Sequence, residues 1–199
     1  MGVEIQDLNA LIGSRICHDL ISPLGAIGNG VELLAMSGIS AAPEIALIAE
    51  SIENANARIR FFRVAFGAAS KGAMIGRSEA VSILRDIYRK CRYQVDWRVT
   101  EDCPRAEVKL CFLAIQCLET SMPRGGEVRV LREGGRWRLV AEAETLRVDP
   151  DLWDVACGTR PDTDVSATNV HFALAPLAAI QADRQLELRS GDDRITVSF

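Results

Sequence analysis

The chain has 199 residues, of which 48% are hydrophobic and 25% are charged, and its formal net charge is −4. This composition is typical of a soluble globular protein, and the negative charge argues against a general affinity for nucleic acid or for an anionic membrane surface. The longest apolar stretch is too short to span a bilayer, and the N-terminus shows no secretory signal, so we expect a cytoplasmic protein.

Two long helices are predicted within residues 1–70. The first runs from about Val3 to Met36, and a turn containing Pro43 leads into the second, which ends near Phe66. Apolar residues of the second helix recur in alternating steps of three and four, which is a heptad core pattern. They are Ile45, Ile48, Ile52, Ala55, Ile59, Phe62 and Phe66. Because two helices cannot enclose an apolar core, we expect this hairpin to form a dimeric four-helix bundle, unless it packs on the second domain of its own chain.

A stretch rich in Gly, Ala and Ser, from Gly67 to Ser78, leads to a second domain at residues 76–199. The predicted order there is helix, strand, helix, strand, strand, helix, strand, strand. The helices span about Ser78–Arg89, Ala106–Met122 and Val165–Ala182, and hairpin turns fall at Gly134-Gly135 and around Gly191-Asp192-Asp193. This order predicts an α/β sandwich with a mixed sheet and helices on one face. The fold class of the whole chain is therefore α+β.

The cysteines and histidines do not form a metal-binding pattern. Six cysteines are scattered without a C-x-x-C pair, and the two histidines are His18 and His171. Scattered thiols are typical of small buried side chains in a reducing compartment. We expect no metal site and no cofactor bound by this chain. His171, in an apolar helix, is interpreted as a structural histidine.

His18 is predicted on the solvent side of the first helix. At 100° per residue, a broad apolar face runs from Ile5 to Leu34, and a stripe of small or polar residues lies opposite. The stripe comprises Ser14, His18, Ser22, Gly25 and Asn29. Asp19 follows the histidine, and Pro23 stands in mid-helix, where proline costs about 3 kcal/mol. Exposure, small neighbours, an adjacent acid and this proline together indicate a functional site that a bulky partner can approach.

The string His18-Asp19-Leu20-Ile21-Ser22-Pro23 resembles the phosphoacceptor box of dimeric sensor histidine kinases, which sits on the first helix of a dimerisation and phosphotransfer hairpin. The longer stretch ICHDLISPLGAIGNGVELL is similar, more specifically, to the alphaproteobacterial ChpT-type histidine phosphotransferases. The element order of the second domain is similar to that of the ATP-binding domain of the kinases. The resemblance covers the hairpin strongly and the rest of the chain more weakly.

Three elements that the kinase resemblance implies for ATP binding are missing. In FLAIQCLETSMPRGGEV, Cys117 stands where the kinases have a metal-binding asparagine. The stretches AEAETLRVDPDLWDV and TDVSATNVHFALAPL match an acid-and-glycine turn and a glycine-rich lid, but they contain no glycine. Close backbone approach to phosphates generally requires glycine, and a thiol is a poor ligand for Mg²⁺. We therefore expect a degenerate ATP-binding-like domain that does not use ATP.

The resemblance implies a histidine phosphotransferase of a multi-step phosphorelay. His18 takes a phosphoryl group from the aspartyl phosphate of one receiver domain and passes it to another, and Asp19 stabilises the charged ring. The expected partners are receiver domains of a hybrid histidine kinase and of response regulators, which supply the Mg²⁺. The partner-docking surface comprises Ser14, Arg15, Ser22, Pro23, Gly25 and Asn29.

Two other functions stay open at this point. One is an ATP-dependent histidine kinase with eroded motifs, and the other is a dimeric scaffold that binds receivers without accepting phosphate. A third interpretation, nucleic-acid binding by the basic segment RGGEVRVLREGGRWRL, is disfavoured. Alternating arginine and apolar residues are more typical of a strand with one solvated face.

Overall fold

The computed structural model of the protein describes residues 5–37, 42–160, 164–191 and 193–199. Its helices are α1 (Ile5–Ser37), α2 (Ala42–Ala65), α3 (Arg77–Tyr88), α4 (Arg105–Thr120), α5 (Pro150–Ala156) and α6 (Val170–Gln181), with a short 3₁₀ helix, Ala167–Asn169, before α6. Its strands are β1 (Met74–Ile75), β2 (Tyr93–Trp97), β3 (Cys103–Pro104), β4 (Gly126–Glu133), β5 (Arg136–Glu142), β6 (Glu187–Ser190) and β7 (Arg194–Ser198). Within the described ranges, no helix has both the length and the apolar character that crossing a bilayer requires.

The helices α1 and α2 form the predicted hairpin and pack along each other. Gly30 of α1 is buried where the two helices approach, since a Cβ at that position would stand 2.6 Å from Cγ1 of Ile48. The predicted start of the first helix at Val3, and residues 38–41 of the predicted turn, lie outside the described residues. Pro43 occupies the second position of α2, where the amide that proline lacks has no intrahelical partner in any case.

A mixed five-stranded sheet, as predicted, follows in the order β2-β4-β5-β7-β6. β2 pairs with β4 in parallel, and all other neighbours in this sheet are antiparallel. One face of the central strands is apolar and buried. It comprises Val128, Val130, Leu139, Ala141, Ile195 and Val197. The predicted turn at Gly134-Gly135 joins β4 to β5, and both residues have a positive φ (57° and 79°) that glycine adopts without strain.

The opposite face of the sheet carries arginines that are paired with acids of the same face. These pairs are Arg129 with Glu142, Arg136 with Glu187 and Arg138 with Glu133. Because neighbouring carboxylates balance these three guanidiniums, they contribute little of the excess positive charge that nucleic-acid binding needs. The pairing favours the interpretation of this basic segment as a strand with one solvated face.

α4 lies at the centre of the core. It packs on β4 and β5 with one side and on α6 with the other, and 11 of its 16 residues are buried. Cys111 and Cys117 are among them, and burial raises the pKa of both thiols well above the usual value. These cysteines therefore behave as small apolar side chains, as the sequence predicts.

The second half of α2 packs on the α/β part of its own chain. The ring of Phe61 stacks on Phe112 of α4, with the centroids 5.0 Å apart. Nζ of Lys109, on α4, donates a hydrogen bond of 2.8 Å to the carbonyl of Gly67, just beyond the end of α2. A cation at this position satisfies a backbone carbonyl near the negative end of the helix. The hairpin is thus anchored within its own chain at one end.

Three features differ from the sequence prediction. α5 lies in a segment without predicted structure, and Asp149 caps it by accepting hydrogen bonds from the amides of Asp151 and Leu152 at 3.1 and 3.3 Å. α6 begins at Val170 rather than near Val165, because a 3₁₀ helix precedes it. β1 and β3 pair as an antiparallel ribbon of two residues each, which is too short to show a periodic pattern.

Candidate functional site

The stripe predicted on α1 is an open face of the helix wherever its side chains are described. Ser22, Gly25 and Asn29 are exposed, and a Cβ on Gly25 would meet no atom within 4 Å. The backbone of His18 and Ser14 belongs to α1, while their side chains lie outside the described part of the structure. Because a helix repeats every 3.6 residues, His18 occupies the same face as Ser22 and Gly25. A protein surface therefore has room to approach this face of the helix at Ser22, Gly25 and Asn29.

Asp19 is a buried carboxylate held by two arginines. Its side chain is 8% exposed, and Oδ2 accepts a hydrogen bond of 2.9 Å from Nε of Arg15, one turn earlier on α1. Nη1 of Arg58, on α2, lies 3.7 Å from the same oxygen. A buried carboxylate needs neighbouring positive charge to offset its lost hydration. The two guanidiniums therefore hold the Asp19 side chain in place beside the histidine position.

Arg15 also connects α1 to the α/β part of the chain. Its Nη1 donates a hydrogen bond of 2.8 Å to the carbonyl of Thr168, in the 3₁₀ helix before α6. The sequence predicts Arg15 and Pro23 as parts of the docking surface. In the structure, the Arg15 guanidinium is engaged within the chain, and Pro23 is buried inside α1. Among the described docking candidates, the small residues of the open face are the accessible ones.

Glu119, in the last turn of α4, belongs to the α/β part and lies close enough to Arg15, Arg58 and Asp19 for their charges to affect its pKa. Its Oε1 accepts a hydrogen bond from the hydroxyl of Tyr88 on α3. Burial raises the pKa of Glu119 from 4.5 to about 7, although Tyr88 and the positive charges of Arg15 and Arg58 oppose this rise. A carboxyl group in this range changes its protonation state near neutral pH. We call Arg15, Asp19, Arg58, Tyr88 and Glu119 the junction cluster.

Three members of the junction cluster, Arg58, Tyr88 and Glu119, were missed in the sequence prediction. They come from three different helices, so no spacing along the chain connects them. One local signal was available for Glu119. An acid in the last turn of a helix stands at the negative end of the helix dipole, which is an unfavourable position that calls for a specific reason.

His171 is a structural histidine, buried in α6 and 3% exposed. Its Nε2 lies 3.3 Å from Oγ1 of Thr120, whose hydroxyl donates to the carbonyl of Gln116. Because that hydroxyl hydrogen is used, we assign the ring as the tautomer in which Nε2 donates to Thr120. Burial, with a smaller contribution from Arg15, lowers the pKa of His171 to about 3. The ring is therefore neutral and sealed inside the fold.

The two stretches that the kinase resemblance matches to nucleotide-binding motifs pack against each other. Trp153 of α5 is buried, donates from Nε1 to Oγ of Ser121 at 3.0 Å, and meets the ring of Phe172 edge-on with centroids 5.5 Å apart. Cys117, at the position implied for the metal-binding asparagine, is fully buried. Among the described residues, no three His, Cys, Asp or Glu side chains are grouped to hold a metal ion.

Comparisons with known proteins point to one family. Residues 77–194 match the family model of the histidine phosphotransferase C-terminal domain. The chain is 34% identical to the protein phosphotransferase ChpT of Brucella abortus (strain 2308), over 96% of this chain and 94% of that protein. It is also similar to a bacterial phosphotransferase whose structure is known at 1.7 Å, with 32% identity and a TM-score of 0.83, over 100% of this chain and 98% of that one. Both alignments include the helical hairpin.

We expect His171 to lower the free energy of unfolding as the pH falls below 6.5. Its pKa is about 3 in the folded chain against an ordinary value of 6.5, so between these values the unfolded chain binds a proton that the folded chain does not. Relative to a His171→Gln variant, the wild type should lose about 2 kcal/mol between pH 7 and pH 5. Urea unfolding of both proteins at several pH values measures this difference, and parallel pH profiles would contradict it.

Proposed function

This chain belongs to the histidine phosphotransferase family, and on that premise we propose that His18 is the residue that carries the phosphoryl group. The protein is a phosphotransferase of a phosphorelay, and such a protein acts on receiver domains. In the proposal, His18 accepts the group from the receiver of a hybrid histidine kinase and donates it to the receiver of a response regulator.

The transfer requires a nucleophile, an in-line path and neutralisation of the moving charge. A lone pair of the neutral imidazole attacks phosphorus, so that a P–N bond forms while the P–O bond to the receiver's aspartate breaks and the carboxylate leaves. The ring becomes cationic, and the Asp19 carboxylate, one residue away, stabilises that charge. The Mg²⁺ is expected in the acidic pocket of the receiver. Transfer to a second receiver reverses the same bonds.

The observation that carries the assignment to His18 is the burial of the other histidine. The chain has two histidines, and His171 is enclosed in α6 with its ring against Phe172 and Thr120. A phosphoacceptor must be reached by the aspartyl phosphate of another protein, which the surroundings of His171 do not permit. His18 lies on the face of α1 that is open at Ser22.

We place the receiver on the open face of α1. Ser22, Gly25 and Asn29 present small side chains there, so that a partner helix or loop can come close without displacing long charged side chains. In this arrangement, residues 1–70 serve dimerisation and phosphotransfer, and residues 76–199 add contact area for the bound receiver. Arg15 and Pro23, which are engaged or buried in the chain, support the docking surface from beneath.

The packing of these two stretches against each other supports transfer without ATP. A buried thiol at Cys117 cannot offer Mg²⁺ the oxygen ligands that it prefers. The contact between Trp153 and Phe172 occupies space between α5 and α6 with side chains of the protein itself. We therefore favour a degenerate ATP-binding-like domain over a kinase with eroded motifs.

Exposed isoleucines on α2 support a homodimer. Ile45, Ile52 and Ile59 are spaced by seven residues, and each is 45–50% exposed. Leu24 and Val31, spaced likewise on α1, are also exposed. Large apolar side chains in a seven-residue repeat form the seam of a helical bundle, and leaving such a stripe in water is unfavourable. We propose that a second copy of the hairpin covers this seam and completes a four-helix bundle.

We expect His18→Ala to abolish labelling of this chain by a phosphorylated receiver domain. The label on the wild type should be lost in acid and retained in alkali, as is typical of phosphohistidine. The measurement is incubation with a receiver that has been radiolabelled by its own kinase, in the presence of Mg²⁺, followed by separation of the two proteins.

The matched control is His171→Gln, which should retain the label because His171 is buried. Without a receiver, radiolabelled ATP should label neither the wild type nor the His171→Gln variant. Labelling from ATP would favour the kinase alternative. A wild-type chain that binds the receiver but never takes up label would instead favour the scaffold.

We expect Gly25→Gln to slow phosphoryl transfer about tenfold or more, because a docked receiver would meet the added side chain. If the slower transfer arises from weaker docking, a tenfold loss of affinity corresponds to about 1.4 kcal/mol. The substitution should not weaken the fold, since glutamine is a better helix former than glycine and Gly25 faces open space. Gly28→Gln is the control, because Gly28 is equally open but lies about 80° away around the helix from His18. Equal transfer rates for the two variants would argue against this docking face.

We expect Ile52→Glu to convert a dimer into a monomer, because it places a charge in the proposed seam. Ile180→Glu is the control, since Ile180 is 76% exposed on α6 and lies outside the hairpin. Light scattering coupled to size-exclusion chromatography measures the mass of each protein. A monomeric wild type, or a dimeric Ile52→Glu variant, would contradict the four-helix bundle.

A further inference from the structure

The segment that connects the hairpin to the α/β part, residues 66–73, is fastened along its length. Its sequence, FGAASKGA, is rich in small residues and is typical of a flexible connection. In the structure, three successive carbonyls of this segment accept hydrogen bonds from side chains of α4 and α6. The pairs are Lys109 Nζ with Gly67 at 2.8 Å, Arg105 Nε with Ala68 at 3.4 Å and Gln181 Nε2 with Ala69 at 2.9 Å. We call Arg105, Lys109 and Gln181 the carbonyl clamp.

Arg105 extends the carbonyl clamp to both ends of the segment. Its Nη2 donates to the carbonyl of Arg63, in the last turn of α2, at 2.9 Å, and its backbone amide donates to the carbonyl of Ala73 at 2.8 Å. The small residues permit this close approach. Ala69 is buried, and Gly67 has no room for a Cβ beside the carbonyl of Arg63. Small side chains in this segment therefore serve tight backbone packing.

The two cations of the carbonyl clamp stand where local preferences disfavour them. Arg105 is the first residue of α4, at the positive end of that helix dipole, and Lys109 follows four residues later, a spacing at which like charges repel. Lys109 is half-buried, and burial, together with the charge of Arg105, lowers its pKa. Among the described residues, both side chains take carbonyl oxygens as partners rather than carboxylates. The contact with the end of α2 supplies the reason for both cations.

A second set of contacts joins α2 to α3 across a surface cleft. Three ion pairs connect the two helices, and they are Arg60 with Asp86 at 2.8 Å, Glu53 with Arg89 at 2.6 Å and Glu50 with Lys90 at 2.6 Å. α2 supplies the cation of the first pair and the acids of the other two. Because exposed ion pairs contribute little stability, their main effect is on specificity: sliding α2 by two turns would bring like charges together.

We propose that residues 66–73 form a locked joint, in which Arg105, Lys109 and Gln181 hold the α/β part in one orientation relative to the hairpin. A kinase that binds its nucleotide on the α/β part must bring that nucleotide to the histidine and withdraw it before the receiver docks, so it needs movement at this connection. A phosphotransferase that meets each receiver with the same surface needs no such movement. The benefit for transfer rests on the proposed function, whereas the lock does not.

A lysine-specific protease tests the lock, since the chain has three lysines, Lys71, Lys90 and Lys109. Lys71 is exposed within the joint, while Lys109 lies in the core helix α4 and reports opening of the whole fold. We expect slow cutting at Lys71 in the wild type, because a protease needs several residues around the cut to leave the carbonyl clamp. Arg105→Gln should accelerate the cut at Lys71 on the order of tenfold and change the rate at Lys109 little. Mass spectrometry of the first fragments measures both rates.

Gln181→Ala provides an independent variant if Arg105→Gln folds poorly. It removes the hydrogen bond to Ala69 and should also accelerate the cut at Lys71, whereas the matched control Gln185→Ala, at an exposed position after α6, should not. Equal acceleration at Lys71 and Lys109 would show a general loss of stability and would overturn the lock. Rapid cutting of the wild type at Lys71, unaffected by either clamp variant, would overturn it as well.

The benefit for transfer has its own measurement. In Arg105→Gln, a looser joint must be ordered when the receiver binds both parts, so the receiver concentration for half-maximal transfer should rise about threefold or more. The rate at saturating receiver should stay unchanged, because the substitution leaves the hairpin intact. An unchanged half-maximal concentration would overturn this benefit. Absence of label on the wild type would instead refute the role of His18, and the protease result would stand without it.

Discussion

A buried carboxylate, Asp19, imposes the main electrostatic constraint on this molecule. Its charge is acceptable inside the protein because Arg15 and Arg58 meet it from two helices. Arg15 then reaches the carbonyl of Thr168, so the same side chain that neutralises Asp19 also ties the hairpin to the segment before α6. The orientation of α1, and with it the direction of the His18 position, therefore depends on contacts to the rest of the chain.

α2 packs on the α/β part of its own chain and, in the proposed dimer, also on a second copy of the hairpin. Near its C-terminus, Phe61 is committed to Phe112 within the chain, while Ile45 and Ile52 remain exposed towards the proposed second copy. Packing on the own chain and pairing with another copy are thus compatible, since they use different faces of the helix where they overlap: Ile59 of the seam is exposed, whereas Phe61 is buried. In the proposed bundle, this anchoring would hold the open face of α1 at a defined distance from the α/β part, which would suit a partner that touches both.

The sequence predicts those features that depend on local periodicity. The hairpin, the mixed sheet and the glycine turn at Gly134-Gly135 follow from patterns within a few residues of one another. Asp149 and Pro150 form a recognisable start for α5, but a helix of 7 residues is too short to show a clear helical periodicity. Arg58 and Glu119 were not predictable as a pair, since only the packing of α2 against the α/β part brings them to Asp19. The burial of Pro23 likewise depends on neighbours in three dimensions.

The partly buried carboxyl group of Glu119 affects which substitutions would stabilise this protein. Because its pKa is raised from 4.5 to about 7 in the fold, Glu119 lowers the free energy of unfolding as the pH rises between these two values, and the full loss persists at alkaline pH. A laboratory selection for heat resistance at alkaline pH would thus favour the replacement of Glu119 by an uncharged residue. Such a substitution would raise the stability of the fold at neutral and alkaline pH, and it would remove the carboxylate that accepts the hydrogen bond from Tyr88.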